Sequence, residues 1–185
     1  MDPKTRILFL DPYHAGSHAQ CARTLVKNID ADWTVLTLPG RHWKWRMRGS
    51  ATWFATTQRQ ALTRPYDLLI TTSMLALADL LGLCPALAKV PSMLYFHENQ
   101  LAYPVRNQWS GVRDHHFAFT QLISSIAATR CGFNSAYNRD TFLAGLQRIL
   151  KALPDAVDPS WLKEIREKSI VLGVPLELPP VDISD

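Results

Sequence analysis

Cysteine is scarce: three residues in a chain of 185, at positions 21, 84 and 131. They are far apart and none belongs to a Cys-x-x-Cys pair. This excludes a disulfide framework and a structural zinc cluster, and predicts reduced core thiols in a cytoplasmic protein. Glycine is also sparse, and its eight copies form neither a Gly-x-Gly-x-x-Gly fingerprint nor a Walker-type phosphate loop. A dinucleotide site and a P-loop kinase reading therefore lose their sequence support. Gly-x-Ser-x-Gly and His-Glu-x-x-His are missing too, which argues against serine hydrolase and metalloprotease chemistry. No apolar run reaches membrane-span length, and the short one at residues 7–10 fits a strand better than a signal peptide, so no membrane partner is expected. Charged residues make up only 19% of the chain against 47% apolar. That balance excludes a disordered chain and supplies material for one folded domain. The formal net charge of +4 is compatible with a polyanionic partner without identifying one.

What the chain does contain is an alternation. Ile7-Leu8-Phe9-Leu10, residues 33–38, 67–72, 92–96 and 130–134, and finally 169–174, read as strands. Helical stretches fall between them: from Ser17 to about residue 28, 53–63, 74–83, 115–129 and 136–150. Ser17 with Gln20 suggests a capping box, and Asp114 a cap for the helix that follows it. Of the paired histidines His115 and His116, one is expected to face the core. Residues 155–160 read as a surface loop. The strands are continuous apolar runs, which predicts an α/β fold: a Rossmann-like parallel sheet with helices on both faces. In such sheets ligands sit beyond the carboxyl ends of the strands. The segments to read for chemistry are therefore 11–18, 40–49, Ser73, 97–103 and 134–138.

Each segment carries a functional and a plainer reading. In the first, His14, Gly16, Ser17 and His18 stand where a strand meets a helix start, a place that favours an anion; equally, Gly16 makes the turn and Ser17 caps the helix. His14 and His18 lack a third partner, so no metal site is expected. In the second, Arg41, His42, Trp43, Lys44, Trp45, Arg46 and Arg48 interleave cations with aromatic rings. That pattern suits phosphates and stacked bases, and the alternative is a solvated loop whose tryptophans pack back on the domain. In the third, His97 and Glu98 can do acid–base work, with Asn99, Gln100 and Tyr103 as neighbours for sugar hydroxyls. The plainer role is to tie down the polar stretch up to residue 113. Asn134 and Ser135, with Asn138, read as a strand-to-helix turn and its cap; they are kept with Ser73 as substrate-side candidates.

With these residues in view, the blocks Ile-Leu-Phe-Leu-Asp-Pro-Tyr-His-Ala-Gly-Ser-His, Leu-Pro-Gly-Arg-His-Trp-Lys-Trp-Arg-Met-Arg-Gly, Phe-His-Glu-Asn-Gln-Leu-Ala-Tyr-Pro and Cys-Gly-Phe-Asn-Ser-Ala-Tyr-Asn-Arg-Asp-Thr-Phe together resemble the amino-terminal domain of the tRNA-queuosine mannosyltransferases. The resemblance spans about residues 6–145. It implies the amino-terminal half of a GT-B fold, related to the retaining glycosyltransferases of family four. It further implies a tRNA acceptor, a GDP-mannose donor and no catalytic metal. By the same analogy His97 faces the transferred sugar and the first loop approaches its phosphates. The family's donor domain carries two glutamates eight positions apart. Here glutamates stand only at 98, 164, 167 and 177, so the nucleotide sugar is expected to bind a second domain outside this chain, and this part alone is expected to be inactive.

The expected organisation is an acceptor-side domain over residues 1–174 and a proline-rich linker over 175–185. Two other functions stay open at this point. One is an RNA-binding module without chemistry; the other is a glycosyltransferase acting on a lipid or a small glycoside.

Overall fold

The computed structural model describes residues 3–102, 115–155 and 157–175, with the backbone alone at 115. Six strands form one sheet: β1 (Arg6–His14), β2 (Asp32–Pro39), β3 (Leu68–Thr72), β4 (Ser92–Phe96), β5 (Arg130–Phe133) and β6 (Ser169–Val171). All pair in parallel, in the order β2-β1-β3-β4-β5-β6. Among the described residues seven α-helices lie between them: α1 (Gly16–Asn28), α2 (Trp43–Thr57), α3 (Arg59–Leu62), α4 (Leu77–Leu83), α5 (His115–Ala127), α6 (Ala136–Ala152) and α7 (Ser160–Glu167). This is the expected Rossmann-like arrangement. No helix among the described residues is long and apolar enough to cross a membrane.

The two sheet faces differ, and crossover handedness explains why. The chain steps one way from β1 to β2 and the other way at every later connection. Right-handed crossovers then put α1 on one face and the remaining helices on the opposite one. Side chains alternate between these faces along each strand. Leu8, Leu10, Leu69, Leu94, Phe96 and Phe133 enter the main core with Phe54 of α2, Leu80 of α4, Leu122 of α5, Phe142 of α6 and Ile165 of α7. Phe9, Ile70 and Met93 point the other way and line a groove of about 280 Å³ with Cys21 and Leu25 of α1. Continuing that alternation to the strand ends sends Asp11, Thr72, Tyr95 and His97 to the α1 face, where the site lies.

Several expected boundaries move. β1 continues to His14 instead of stopping at residue 10, with an irregular register between Asp11 and His14. The expected Ser17–Gln20 capping box does not form. Ala15 occupies the N-cap position without a side-chain cap, and Gly16 takes φ of +50°, a conformation favouring glycine. The segment read as a basic loop is mostly the start of α2, which begins ten residues earlier than expected. Trp43, Met47, Ala51 and Phe54 recur at helical spacing; Trp43 is half-buried and the other three are buried. A kink region at Gln58 then separates α2 from α3 within the expected 53–63 helix. α4 starts three residues late, and α7 is an element the sequence reading lacks. Tyr103, Asp114 and residues 176–185 lie outside the described residues, as does the side chain of His115; His116 is exposed.

Candidate functional site

Asp11 organises the carboxyl edge of the sheet. It is fully buried, a position a carboxylate holds only when partnered. Its Oδ1 accepts from the Tyr13 amide at 3.1 Å and the Thr72 hydroxyl at 3.4 Å. Its two oxygens also meet Nδ1 of His14 at 2.9 Å and Nδ1 of His18 at 3.4 Å. Burial raises the Asp11 pKa, yet His18 and the other donors outweigh burial, so its carboxyl stays below its ordinary range.

His18 lies between two carboxylates, with its Nε2 at 3.5 Å from Oε2 of Glu98. Burial opposes its charge, but the hydrogen bonds to Asp11 and Glu98 prevail and lift its pKa to about 9. Its ring stacks on His97, with centroids 3.9 Å apart and planes at 24°. The edge of Tyr95 closes on His97 from another side, at 4.9 Å and 82°. Burial, reinforced by the charge on His18, pushes the His97 pKa down to about 4. Near neutral pH the pair is thus one imidazolium stacked on one neutral imidazole. Both ring nitrogens of His97 are buried and without a hydrogen-bond partner among the described residues. A buried polar group in that state is rare and marks a place where a ligand or water supplies the missing bonds.

His97 and Glu98 also border a polar recess of about 210 Å³ with Asn134, Ser135, Asn138 and Tyr137. Here the side chains of Asn99, Asn134, Ser135 and Asn138 are engaged inside the protein. Nδ2 of Asn99 donates to Oδ1 of Asn138 at 2.8 Å, and its Oδ1 accepts from the amides of Leu101 and Ala102. Asn138 donates to the Phe96 carbonyl and to Oδ1 of Asn134, while Asn134 donates to the His97 carbonyl at 2.6 Å. Ser135 caps α6 by accepting the Asn138 amide at 3.2 Å, as its place before the helix suggested. Ser73 donates to the Glu98 carbonyl at 3.3 Å, and the Gln100 amide donates to Oε1 of Gln121. These residues brace the backbone that carries His97 and Glu98.

Gly16 and Ser17 are exposed at the start of α1. The second segment lies on the β2 side of the same edge. His42 adopts a left-handed conformation, φ 54°, just before α2. Trp43 packs on Phe117, with centroids 5.0 Å apart, as the plainer reading of these tryptophans required. Trp45 does the opposite and is 76% exposed. Arg41, Lys44 and Arg48 are exposed, while Nε of Arg46 donates to the Pro39 carbonyl at 3.2 Å. The first turn of α2 contains no acid, so these cations gather at the helix end where the backbone is already electropositive. Gly40 joins the two segments. A β-carbon there would stand 2.2 Å from Cβ of Ala15.

Sequence reasoning singled out His14, His18, His97 and Glu98, and the structure brings them together. It missed Asp11, the residue that joins them. Among the described residues no three His, Cys, Asp or Glu side chains are grouped to hold a metal ion.

Comparison with known proteins bears on this site. The profile of the family described as tRNA-queuosine alpha-mannosyltransferase N-terminal matches residues 6–176. Over 174 residues the chain is 37% identical to the tRNA-queuosine alpha-mannosyltransferase of Drosophila melanogaster. That match covers 94% of this chain and 45% of the relative, so the chain spans a little under half of that protein's length.

Proposed function

We infer that this chain, which belongs to the tRNA-queuosine alpha-mannosyltransferase family as its amino-terminal domain, forms the acceptor side of a cytoplasmic enzyme that moves mannose from GDP-mannose to queuosine in tRNA. The observation that carries the reading is His97: a buried, neutral imidazole whose two nitrogens have no partner among the described residues, next to Glu98 at the edge where α/β sheets bind ligands. Residues 1–174 are the acceptor-side domain and 175–185 lead toward a donor-binding domain, together making a GT-B enzyme.

The chemistry suits a retaining transfer. As the phosphate leaves, positive charge develops on the sugar ring. A neutral His97 can donate one hydrogen bond and accept another from sugar hydroxyls without adding a cation beside that ring. Glu98, with its side chain one-third exposed, can accept the proton of the attacking hydroxyl. On the β2 side, Arg41, Lys44 and Arg48 suit the RNA backbone and Trp45 offers a face to a base. That exposed ring favours RNA over a lipid or small-glycoside acceptor.

The test is mannose incorporation from labelled GDP-mannose into queuosine-containing tRNA, by the full-length protein and by this chain alone. The expected result is turnover by the first and none by the second. Multiple turnover by the chain alone overturns the need for a donor domain. Tight tRNA binding by a full-length protein that transfers no sugar from any nucleotide donor overturns the enzyme in favour of an RNA-binding module.

A further inference from the structure

We propose that Asp11 is a positioning residue of the transfer site: it seats the His18 ring against His97 and thereby sets the tilt of the imidazole that meets the sugar and the charge of the one stacked on it. The inference deepens the functional reading above and rests on it for its kinetic part only. His97 has no hydrogen bond to hold its ring among the described residues. What orients it is packing against two rings, the face of His18 and the edge of Tyr95. Tyr95 is anchored by its hydroxyl, which donates to the Leu172 carbonyl at 2.9 Å. His18 is anchored by its two carboxylates. Of these, Glu98 is partly exposed and belongs to the reacting edge, whereas Asp11 is fully buried and fixed by groups from β1 and β3. Asp11 is therefore the fixed end of a chain that runs through His18 to His97.

The same chain sets charge. A carboxylate buried under His18 favours its imidazolium, and an imidazolium 3.9 Å from His97 disfavours a second one. The titratable groups around the pair are Asp11, Tyr13 and His14 of β1, Cys21 of α1, Tyr95 of β4, and Glu98 beyond it. Cys21 and Tyr95 are both shifted upward, first by burial, and so stay neutral at physiological pH. The charges that act on the pair there are those of Asp11 and Glu98.

Histidine NMR titration of the 185-residue chain tests this without donor or tRNA. The expected wild-type result is a His18 ring protonated up to about pH 9 and a His97 ring neutral down to about pH 4. In Asp11→Asn the His18 midpoint falls by more than about one pH unit; His18 is still protonated where His97 titrates, so loss of the Asp11 charge lowers the His97 midpoint as well. Unchanged midpoints in that variant overturn the proposal. In the full-length enzyme, Asp11→Asn is expected to lower kcat by about tenfold, leave KM for tRNA nearly unchanged and move the acid limb of the kcat profile to lower pH. Full kcat with an unmoved profile, in an enzyme whose wild type transfers mannose, overturns the proposal and leaves the function standing. A wild type that transfers nothing overturns the function, while the titrations still decide the role of Asp11. If Asp11→Asn does not fold, His18→Gln replaces it, since Asp11 then keeps Tyr13, His14 and Thr72. There the His97 midpoint must rise, and an unmoved midpoint overturns the proposal.

Discussion

Two groups of polar residues share the carboxyl edge of the sheet, and they differ in whether their hydrogen bonds are complete. Around α6, Asn99, Asn134, Ser135 and Asn138 engage one another and the backbone of β4 and its following loop. Beside α1, Asp11 and His18 are engaged, but among the described residues the series of interactions ends at His97, whose nitrogens have no partner there. Both groups are polar and include buried residues, so burial and residue type do not separate scaffold from chemistry here. Completeness does: a satisfied network specifies a backbone shape, and an unsatisfied end leaves capacity for a substrate.

Breaking each group should give opposite signatures. The largest effect is expected from His97→Ala in the full-length enzyme: kcat lower by on the order of 10²-fold, with tRNA affinity and melting temperature little changed. Near-normal turnover in well-folded protein would remove His97 from the reaction. Asn138→Ala should do the reverse. It removes the bonds to the Phe96 carbonyl and Asn134, and one of the three acceptors that meet Nδ2 of Asn99. A loss of about 3 kcal/mol in urea unfolding is expected, with activity falling only in proportion to the folded fraction.

A pH series sharpens the contrast further. His18 has its pKa raised in the fold, so its stabilisation is complete below its unfolded value of 6.5 and is lost as pH rises toward about 9. His97 has a lowered pKa, so the fold loses stability as pH falls from 6.5 toward about 4, where the unfolded chain takes up a proton that the folded one refuses. Unfolding free energy should therefore peak near pH 6.5, and His18→Gln should flatten the alkaline side. A flat wild-type profile between pH 5 and 9 would contradict the charge assignment. The smallest effect is expected on the β2 side. Replacing exposed Arg41 and Lys44 with alanine should reduce the slope of log affinity for tRNA against log salt by about 0.7 to 0.9 for each phosphate left without its cation. An unchanged slope would exclude this segment from the RNA interface.

Much of this fold is legible in the sequence because its strands are continuous apolar runs. The strand read over residues 92–96 has the observed limits, and the sheet's parallel character follows from the alternation with helices. The start of α2 is not legible as a helix because its first turns carry Lys44, Arg46 and Arg48 with no N-cap residue, which opposes helix initiation. The apolar spacing of Trp43, Met47, Ala51 and Phe54 is the signal that overrides this, and the sequence displays it. In α7, Leu162 and Ile165 three apart give a weaker hint. At the site, His97 and Glu98 are legible because they follow a clear strand. Asp11 is not, since Asp-Pro after four apolar residues reads as a turn, and only the continuation of β1 to His14 buries that carboxylate.

The close approach of Gly40 to Ala15 has a consequence for how such a domain can change over generations. The turn after β1, which lies between His14 and His18, and the turn after β2, which leads into the basic start of α2, touch where no extra atom fits. Neither can gain bulk at that point unless the other retreats. Variation in the surface that meets the acceptor is thus tethered to variation beside the reacting groups, and lineages should alter these two turns jointly or leave both alone. A paired library randomising residues 15 and 40 would reveal this as survivors confined to small-with-small combinations, with each position's tolerance set by its neighbour.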